Sequence, residues 1–261
     1  MAGHDGLLWQ GDGLTVSLTS CEFLRALLAA LLCAASFSSF AETVRLPDSG
    51  VFEGSVVNGL FEGRGTIQWR DGSQYVGEFK QGLMHGTGKY THPAGYSYEG
   101  EYEDGLPSGR GRAQHSNGDV IEGTFKDGDP NGPGVLSGVH GDRYEGTFKD
   151  GLFDGKGVYT SIDGTVYDAR FERGMLNGPG SMHTRDGDHY MGEFKNDQRH
   201  GQGVALYSNG DRYEGGFKDG LFDGHGRLTD GESGTVIEGH WEAGEYVGPE
   251  SKATRDKKNS I

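Results

Sequence analysis

The stretch that decides the fold reads Tyr144-Glu-Gly-Thr-Phe-Lys-Asp-Gly-Leu-Phe-Asp-Gly-Lys-Gly-Val-Tyr159. Copies of it, with substitutions, recur every 23 residues along most of the chain. Each copy has glycine as a rule at its third, eighth, twelfth, fourteenth and twenty-first positions. Internal repetition at a fixed period of this length indicates a repeat architecture. The copies begin at Phe52, Tyr75, Tyr98, Ile121, Tyr144, Tyr167, Tyr190 and Tyr213, and a partial ninth begins at Ile237.

The repeat also accounts for the unusual composition of the chain. Glycine contributes 49 of 261 residues, and the five repeat positions hold 37 of them. Apolar side chains make up only 33% of the residues, which argues against a thick globular core. Disorder is disfavoured by 12 Tyr, 13 Phe and 3 Trp, and a collagen helix is excluded by 7 Pro without a three-residue glycine period.

Each copy is predicted to form a β-hairpin. Side chains alternate between the two faces of a strand, so the first, third and fifth residues of Tyr75-Val-Gly-Glu-Phe79 share one face. We expect a loop that opens at Gln81-Gly82 and closes at Gly86, followed by a return strand over 87–91. Turn signals such as Asp71-Gly72 predict the connection from one copy to the next.

A sheet built from such hairpins has no second layer against which to bury its apolar side chains. Glycine at the third and fourteenth positions leaves slots over the backbone, and aromatic rings are expected to fill them. The prediction is therefore an all-β fold, an elongated single-layer antiparallel sheet whose core consists of rings. The expected core aromatics are Tyr75, Phe79, Tyr98, Tyr102, Phe125, Tyr144, Phe148, Tyr167, Phe171, Tyr190, Phe194, Tyr213, Phe217 and Trp241.

These copies resemble the MORN repeat, the membrane occupation and recognition nexus motif of pattern Tyr-x-Gly-x-Phe/Trp-x-x-Gly-x-x-His-Gly-x-Gly. The resemblance covers eight and a half copies over residues 52–248. It implies an extended sheet of stacked hairpins that serves membrane apposition or protein scaffolding, with association through terminal repeats. In larger relatives the repeats accompany a catalytic domain, whereas here we expect none, and we expect the chain to be no enzyme.

The first 41 residues are expected to form a signal peptide. In residues 24–41 one basic residue, Arg25, precedes an apolar core of about ten residues and the small-residue ending Ser39-Phe40-Ala41. This apolar segment is expected to be helical. Two alternatives are a membrane anchor at residues 24–40 and a buried apolar helix, although the apolar run is shorter than the ~20 residues that span a bilayer.

Two short segments flank the repeats. Residues 42–51 are expected to be a linker or N-terminal cap, and residues 249–261 form a polar, basic tail that is expected to be disordered. A signal peptide places the chain outside the cytoplasm. We therefore expect a bacterial protein that is exported and periplasmic or envelope-associated, or anchored in the inner membrane if residues 24–40 are retained.

Candidate residues for chemistry are few. Both cysteines, Cys21 and Cys33, precede the repeats, which excludes a disulfide, a cysteine zinc site and a thiol nucleophile there. His85 and His200 share the eleventh repeat position, where other copies carry turn-forming polar residues, so a turn role is favoured over a ligand role. We expect no catalytic residue, no metal and no cofactor.

The charge of the chain limits its partners. With 24 basic and 39 acidic residues the formal net charge is −15. Nucleic acid attracts basic surfaces, so it is excluded as a partner, and purely electrostatic binding to anionic lipid is disfavoured. Glutamates at the second repeat position are expected to line the solvated face opposite the aromatics.

The function expected from the sequence is that of a non-enzymatic scaffold for protein–protein interaction or membrane association in the cell envelope. An unidentified protein is the expected partner, membrane lipid is a second one, and a homodimer through terminal repeats is the expected self-association. Apolar residues at the tenth position are the candidate contacts, with packing against their own hairpin as the alternative. They are Phe61, Met84, Phe153, Leu176 and Phe222.

A second function comes from another class, namely a glycan- or cell-wall-binding module. Short aromatic hairpins with glycine turns suit stacking against sugar rings, and an exported protein meets envelope polysaccharide. Such platforms favour exposed tryptophan, and only Trp69 and Trp241 follow residue 41.

Overall fold

The computed structural model describes residues 42–47 and 49–249, and these form 19 β-strands joined by turns. The predicted signal peptide over 1–41, or anchor over 24–40, with its helical character, lies outside the described residues, as does the tail from residue 250 onward. The chain divides into two units, with the boundary between Leu152 and Phe153. The all-β fold of tandem hairpins predicted from the sequence is confirmed.

The first unit is an antiparallel meander in which each strand pairs with the next one in sequence. Its strands are β1 (Glu42–Arg45), β2 (Val51–Val57), β3 (Leu60–Gln68), β4 (Gln74–Lys80), β5 (Leu83–Thr91), β6 (Ser97–Glu103), β7 (Leu106–Gln114), β8 (Val120–Lys126), β9 (Asp129–Ser137) and β10 (Arg143–Lys149).

The second unit is also an antiparallel meander of consecutive strands. Its strands are β11 (Leu152–Thr160), whose first residue still belongs to the first unit, β12 (Val166–Glu172), β13 (Met175–His183), β14 (His189–Lys195), β15 (Gln198–Leu206), β16 (Arg212–Lys218), β17 (Leu221–Thr229), β18 (Val236–Glu242) and β19 (Glu245–Gly248).

The hairpin turn is shorter than the sequence suggested. Only Gln81 and Gly82 separate β4 from β5, and their φ angles of 53° and 85° are those of a mirror-image two-residue turn. The return strand begins at Leu83, so the expected loop up to Gly86 is wrong. Two residues suffice because such a turn has the same twist as the strands that it joins.

A β-bulge in the return strand explains the glycine at the twelfth position. Gly77 lies opposite Gly88, but the next residue, Glu78, lies opposite His85, so Gly86 and Thr87 have no partner on β4. Gly86 has a φ of 61°, which L-residues with a side chain rarely adopt. The residue that the sequence analysis placed at the end of a loop is therefore a bulge residue within a strand.

The aromatic ring at the first position lies flat over two glycines, as predicted. The Tyr75 ring is so close to Gly77 and Gly88 that a Cβ atom on either glycine would lie 2.5 to 2.6 Å from its carbon atoms. Its hydroxyl donates a hydrogen bond of 3.0 Å to the carbonyl oxygen of Glu78. We call this side of each sheet the ring face and the opposite side the reverse face. All fourteen expected core aromatics are buried on the ring face.

Burial of each ring depends on the following hairpin. Tyr75 packs edge-on against Phe79 of its own hairpin and Tyr102 of the next, with ring centroids 5.1 and 5.0 Å apart. Ile237, at the first position of the partial ninth copy, has no complete hairpin after it in the described residues, and 38% of its surface is exposed. The core is thus built between neighbouring copies, not within one.

The sixth copy departs from this arrangement because Ala169 replaces glycine at its third position. A Cβ on the opposing Gly180 would meet that of Ala169, so the slot is already filled. Tyr167 remains buried but does not donate to the carbonyl of Arg170, the hydrogen bond that Tyr75 makes in its own copy. One methyl group therefore displaces one ring from its slot.

The tyrosine ring layer predicts a loss of stability at alkaline pH. Burial raises the pKa of Tyr190 and Tyr213 to about 12, and raises that of Tyr75 and Tyr98 as well, from a reference of 10.0. Because the folded-state pKa exceeds the unfolded one, the stabilisation is complete below pH 10 and is lost as the pH rises toward about 12.

We expect tyrosinate absorbance and loss of β-sheet circular dichroism to appear together as the pH is raised. Titration of every tyrosine at its ordinary pKa with the circular dichroism unchanged would contradict the buried ring layer.

A short strand occupies the segment that was expected to be a linker or cap. β1 pairs with β2, with Val44 opposite Phe52. This pairing satisfies backbone groups of the first hairpin that would otherwise form an open edge.

Candidate functional site

The five candidate contact residues are not an exposed row, which corrects the expectation. Met84, Phe153 and Leu176 are buried on the ring face, and Phe61 and Phe222 are half-buried there. Phe61 stacks on Phe52 with centroids 3.8 Å apart, and Phe222 stacks on Tyr213 at 3.6 Å. These side chains cover the ring of their own hairpin, which was the alternative.

Turn length is the physical reason. With a two-residue turn, the tenth position lies directly opposite the fifth, as Met84 lies opposite Phe79. Opposed residues of an antiparallel pair point to the same face. The ninth position, opposite the sixth, therefore points to the reverse face.

Apolar residues at this ninth position form the row that sequence reasoning missed. We call them the turn-edge row, which comprises Leu60, Leu83, Leu106 and Leu152 in the first unit, and Met175 and Leu221 in the second. Leu152, Met175 and Leu221 are exposed by 38, 40 and 50%, and the remaining three are half-buried. Side-chain alternation along the strand could have identified this row, but only with the turn length known. The turn length decides which face the ninth position occupies.

The turn edge is held in place by backbone hydrogen bonds between successive hairpins. The Gly82 amide donates to the Phe61 carbonyl at 2.9 Å, and the Gly105 amide donates to that of Met84 at the same distance. The side chain of Leu83 leans toward the next turn, because a Cβ on Gly105 would lie 3.9 Å from it. The row is thus presented on an ordered backbone.

Charges beside the row are of both signs. Lys80 lies opposite Leu83, and Glu103 lies opposite Leu106. Asp129 takes the ninth position of the fourth copy, and burial raises the pKa of its carboxyl group, with Asp150 and Asp127 adding to the effect. The edge is therefore apolar with mixed charges and is not a basic strip.

Elsewhere the reverse face carries polar side chains together with Val76 and Met191, which are exposed by 49 and 71%. Glutamates at the second position are exposed, and several pair with a cation, such as Glu99 with Lys89 at 3.0 Å and Glu122 with Arg112 at 3.0 Å. Exposed pairs of this kind contribute about 0–1 kcal/mol each, so their main effect is to keep the face solvated.

The two histidines at the eleventh position do not lie in the turn. His85 is the third residue of β5 and lies opposite Glu78 beside the bulge, on the reverse face. His200 occupies the same place in β15, with its Nδ1 atom 3.9 Å from Asp219 Oδ1. In the first copy the corresponding Glu62 accepts a hydrogen bond of 2.9 Å from the Gln81 amide. The eleventh position therefore reaches toward the neighbouring turn.

One cation is built into the ring face. Arg199 holds the tenth position of the seventh copy, and its guanidinium lies 5.8 and 5.3 Å from the ring centroids of Tyr190 and Phe217. It donates a hydrogen bond of 2.9 Å to the Gly220 carbonyl. Arg199 thus fills the place of the aromatic ring found at the tenth position of other copies. Its charge gave no indication that it would lie on the ring face.

Within residues 42–47 and 49–249, no group of three or more His, Cys, Asp or Glu side chains is placed to hold a metal ion. In that same part of the chain, no helix is long and apolar enough to cross a membrane.

The period, the ring-over-glycine packing and the two-residue turns all repeat from copy to copy. The family model described as "MORN repeat" matches the chain eight times in tandem, over residues 52–74, 75–95, 98–120, 122–143, 144–166, 167–189, 190–212 and 213–234. The chain is a MORN-repeat protein. MORN repeats generally mediate protein or membrane interactions, and proteins built from them as scaffolds are typically non-enzymatic.

Other comparisons are more distant. No curated protein matches this MORN chain significantly. The TCP domain of Drosophila melanogaster SAS-4, solved with a proline-rich motif of Ana2, is 11% identical and aligns over 71% of this chain and 96% of its own, with a TM-score of 0.36. A mutant TCP10 domain of Danio rerio CPAP is 14% identical and aligns over 77% and 99%, with a TM-score of 0.25.

The structure weakens the glycan alternative for this MORN protein. Trp241 is buried, and its indole nitrogen donates a hydrogen bond to the Gly226 carbonyl at 3.2 Å. Trp69 is half-buried and packs edge-on against Tyr90, with centroids 5.8 Å apart. Neither tryptophan offers an exposed flat ring of the kind that sugar platforms use.

Proposed function

We propose that this MORN protein is a non-enzymatic scaffold that binds a protein partner along the turn-edge row of its first unit. The observation that carries the proposal is the direction of the ninth-position side chains. The ring face uses its aromatic side chains to cover its own backbone, whereas Leu60, Leu83, Leu106 and Leu152 point away from that core. Successive hairpins present Leu60, Leu83 and Leu106 about 10 Å apart, because each hairpin adds two strands. Leu152 lies one hairpin further along, after Asp129.

A protein partner is favoured over a membrane by the charges around the row. An edge that binds anionic lipid would carry basic residues along its length, but Glu103 and Asp129 interrupt it. The net charge of −15 also opposes approach to an anionic surface. A patch of apolar and mixed-charge side chains is the usual composition of a protein-binding surface.

We place this activity in the cell envelope, which is supported by the signal-peptide pattern of residues 24–41. We also propose that the chain forms a homodimer through a terminal strand. β1 and β19 are the first and last strands of their units, and exposed strand edges pair readily with a second chain.

The test compares three forms of the full chain for proteins recovered from envelope fractions by affinity purification and quantified by mass spectrometry. The first is wild type, and the second carries Leu60→Ser, Leu83→Ser, Leu106→Ser and Leu152→Ser. The matched control carries Glu99→Gln, Glu122→Gln and Glu145→Gln, which alter the reverse face away from the turn edge. Intact mass and sedimentation velocity of the wild-type material check whether the chain begins at Glu42 and whether it is dimeric.

We expect the leucine variant to lose its main partner at least tenfold relative to wild type, and the glutamate variant to retain it. Thermal unfolding followed by circular dichroism verifies that both variants are folded. An identical set of partners for all three forms would overturn the proposed site. Wild-type binding to phosphatidylglycerol vesicles in high salt, if abolished in the leucine variant, would instead assign the row to a membrane.

A further inference from the structure

We propose that His183 and His189 form a binding site for a divalent transition-metal ion on the reverse face of the second unit, with Cu²⁺ as the preferred ion. The site is independent of the turn-edge row, since these residues lie at the opposite ends of their strands. It involves only two protein ligands, and so it is smaller than the three-residue groups considered above.

The backbone places the two residues face to face. His183 ends β13, His189 begins β14, and the two are direct partners in the antiparallel pairing. The connection between them is ordered by hydrogen bonds from the Thr184 amide to the Asp188 carbonyl at 2.9 Å and from the Asp188 amide to Thr184 Oγ1 at 3.0 Å. Their Cβ atoms are thus held on one face without any contribution from the metal.

The two side chains are in direct contact. The two Nδ1 atoms are 2.9 Å apart, and the ring centroids are 4.0 Å apart with an angle of 62° between the planes. Without a metal, one ring donates its N–H to the lone pair of the other. Once this proton is lost, rotation of the two rings about their Cβ–Cγ bonds would turn both Nδ1 lone pairs toward one metal ion.

The nitrogen separation is close to that of two nitrogen ligands on one metal ion. Two nitrogen ligands at about 2.0 Å from a metal lie about 2.8 Å apart when they are adjacent in a square plane, and about 3.3 Å apart in a tetrahedron. The observed 2.9 Å is the length of the hydrogen bond between the two rings, and it needs little change to reach either separation. Square-planar or tetragonal sites with N and O ligands are typical of Cu²⁺ and Ni²⁺, and Cu²⁺ binds most strongly of the first-row divalent ions.

The surroundings leave the site accessible. Both imidazoles are exposed, and neither has a carboxylate within ion-pair distance among the described residues. Val166 lies opposite His183, and Leu206 lies opposite His189, so the flanking side chains in the sheet are apolar. Water would therefore occupy the remaining coordination positions.

The experiment measures binding of Cu²⁺ to the full chain by calorimetry and by electron paramagnetic resonance. In every form, including the one called wild type, His4 is replaced by Gln and the cysteines are alkylated, so that these donors outside the described residues do not contribute. His183→Gln and His189→Gln are the test variants. The matched control removes another opposed histidine pair, His225→Gln with His240→Gln, in which His225 Nε2 lies 4.0 Å from Glu238 Oε1.

We expect wild type to bind one equivalent of Cu²⁺ with resonance couplings from two imidazole nitrogens, and to bind Ni²⁺ and Zn²⁺ more weakly. Each test variant should lose at least tenfold in affinity and show at most one nitrogen, whereas the control should match wild type. Cu²⁺ should also raise the Tm of wild type and of the control but not that of either test variant, because the ion bridges two strands of the folded state.

Unchanged affinity in both test variants would overturn the proposal, as would a single-nitrogen spectrum in wild type. If a test variant fails to fold, a two-nitrogen spectrum that persists in the control pair still supports the site. Loss of binding in the control pair alone would move the site to the other pair and refute this one.

Discussion

Replacing Tyr98 with alanine is expected to lower the free energy of unfolding by about 4 kcal/mol. Tyr98 is buried and packs edge-on against Tyr102 and Phe125, with centroids 5.1 and 4.9 Å apart. Because Phe125 belongs to the next hairpin, the substitution removes contacts within one copy and between two. Urea unfolding followed by circular dichroism measures the loss.

Two phenylalanine variants separate the contribution of the hydroxyl group from that of the ring. Tyr98→Phe should cost about 1 kcal/mol, because it removes the hydrogen bond of 3.1 Å to the Glu101 carbonyl. Tyr167→Phe should change stability by less than about 0.5 kcal/mol, since Tyr167 makes no such bond to Arg170. Equal losses in the two variants would contradict the role assigned to Ala169 in the sixth copy.

Replacing Gly88 with alanine is expected to cost about 3 kcal/mol. The new methyl group would lie 2.5 Å from carbon atoms of the Tyr75 ring, which is fully buried and held by its hydroxyl bond to the Glu78 carbonyl. The ring must leave its slot, and with it the contact to the next hairpin. Urea unfolding again provides the measurement, with thermal unfolding as a second readout.

Gly63→Ala, at the twelfth position of the preceding copy, is the control. Nothing lies within 4 Å of a Cβ at Gly63, but its φ of 71° is unfavourable for alanine. We expect a cost of about 1 kcal/mol from the backbone alone. If Gly88→Ala were no more destabilising than Gly63→Ala, the ring would not occupy the slot over Gly88.

The sequence predicted the ring face well because its evidence is local. Alternation along a strand assigned Tyr75 and Phe79 to one side, and glycine at positions 77 and 88 indicated where a ring needed room. Both inferences require only the period of a strand and the size of a side chain. Both inferences hold in the copies that keep glycine at the third position. The second inference fails in the sixth copy, where Ala169 replaces that glycine.

The candidate site was predicted less well, because its location depends on one turn. The loop was placed over residues 81–86, which left the direction of Leu83 and Met84 undetermined. Their apolar side chains then suggested Met84 and Phe153 as partner contacts, whereas both are buried in the core. Because Gln81 and Gly82 have positive φ and form a two-residue turn, the return strand begins at Leu83. Leu83 therefore points to the reverse face and Met84 to the ring face.

By itself, the sequence determined the repeat, its two strands in every 23 residues and the fourteen aromatic residues expected in the core. Tertiary structure alone decided which leucines face outward and that each ring is completed by the next hairpin, as the exposure of Ile237 shows. It alone brought His183 and His189 together. The reason is that side-chain alternation acts within one strand, whereas turn geometry, register and coverage by a neighbour arise only when strands pair.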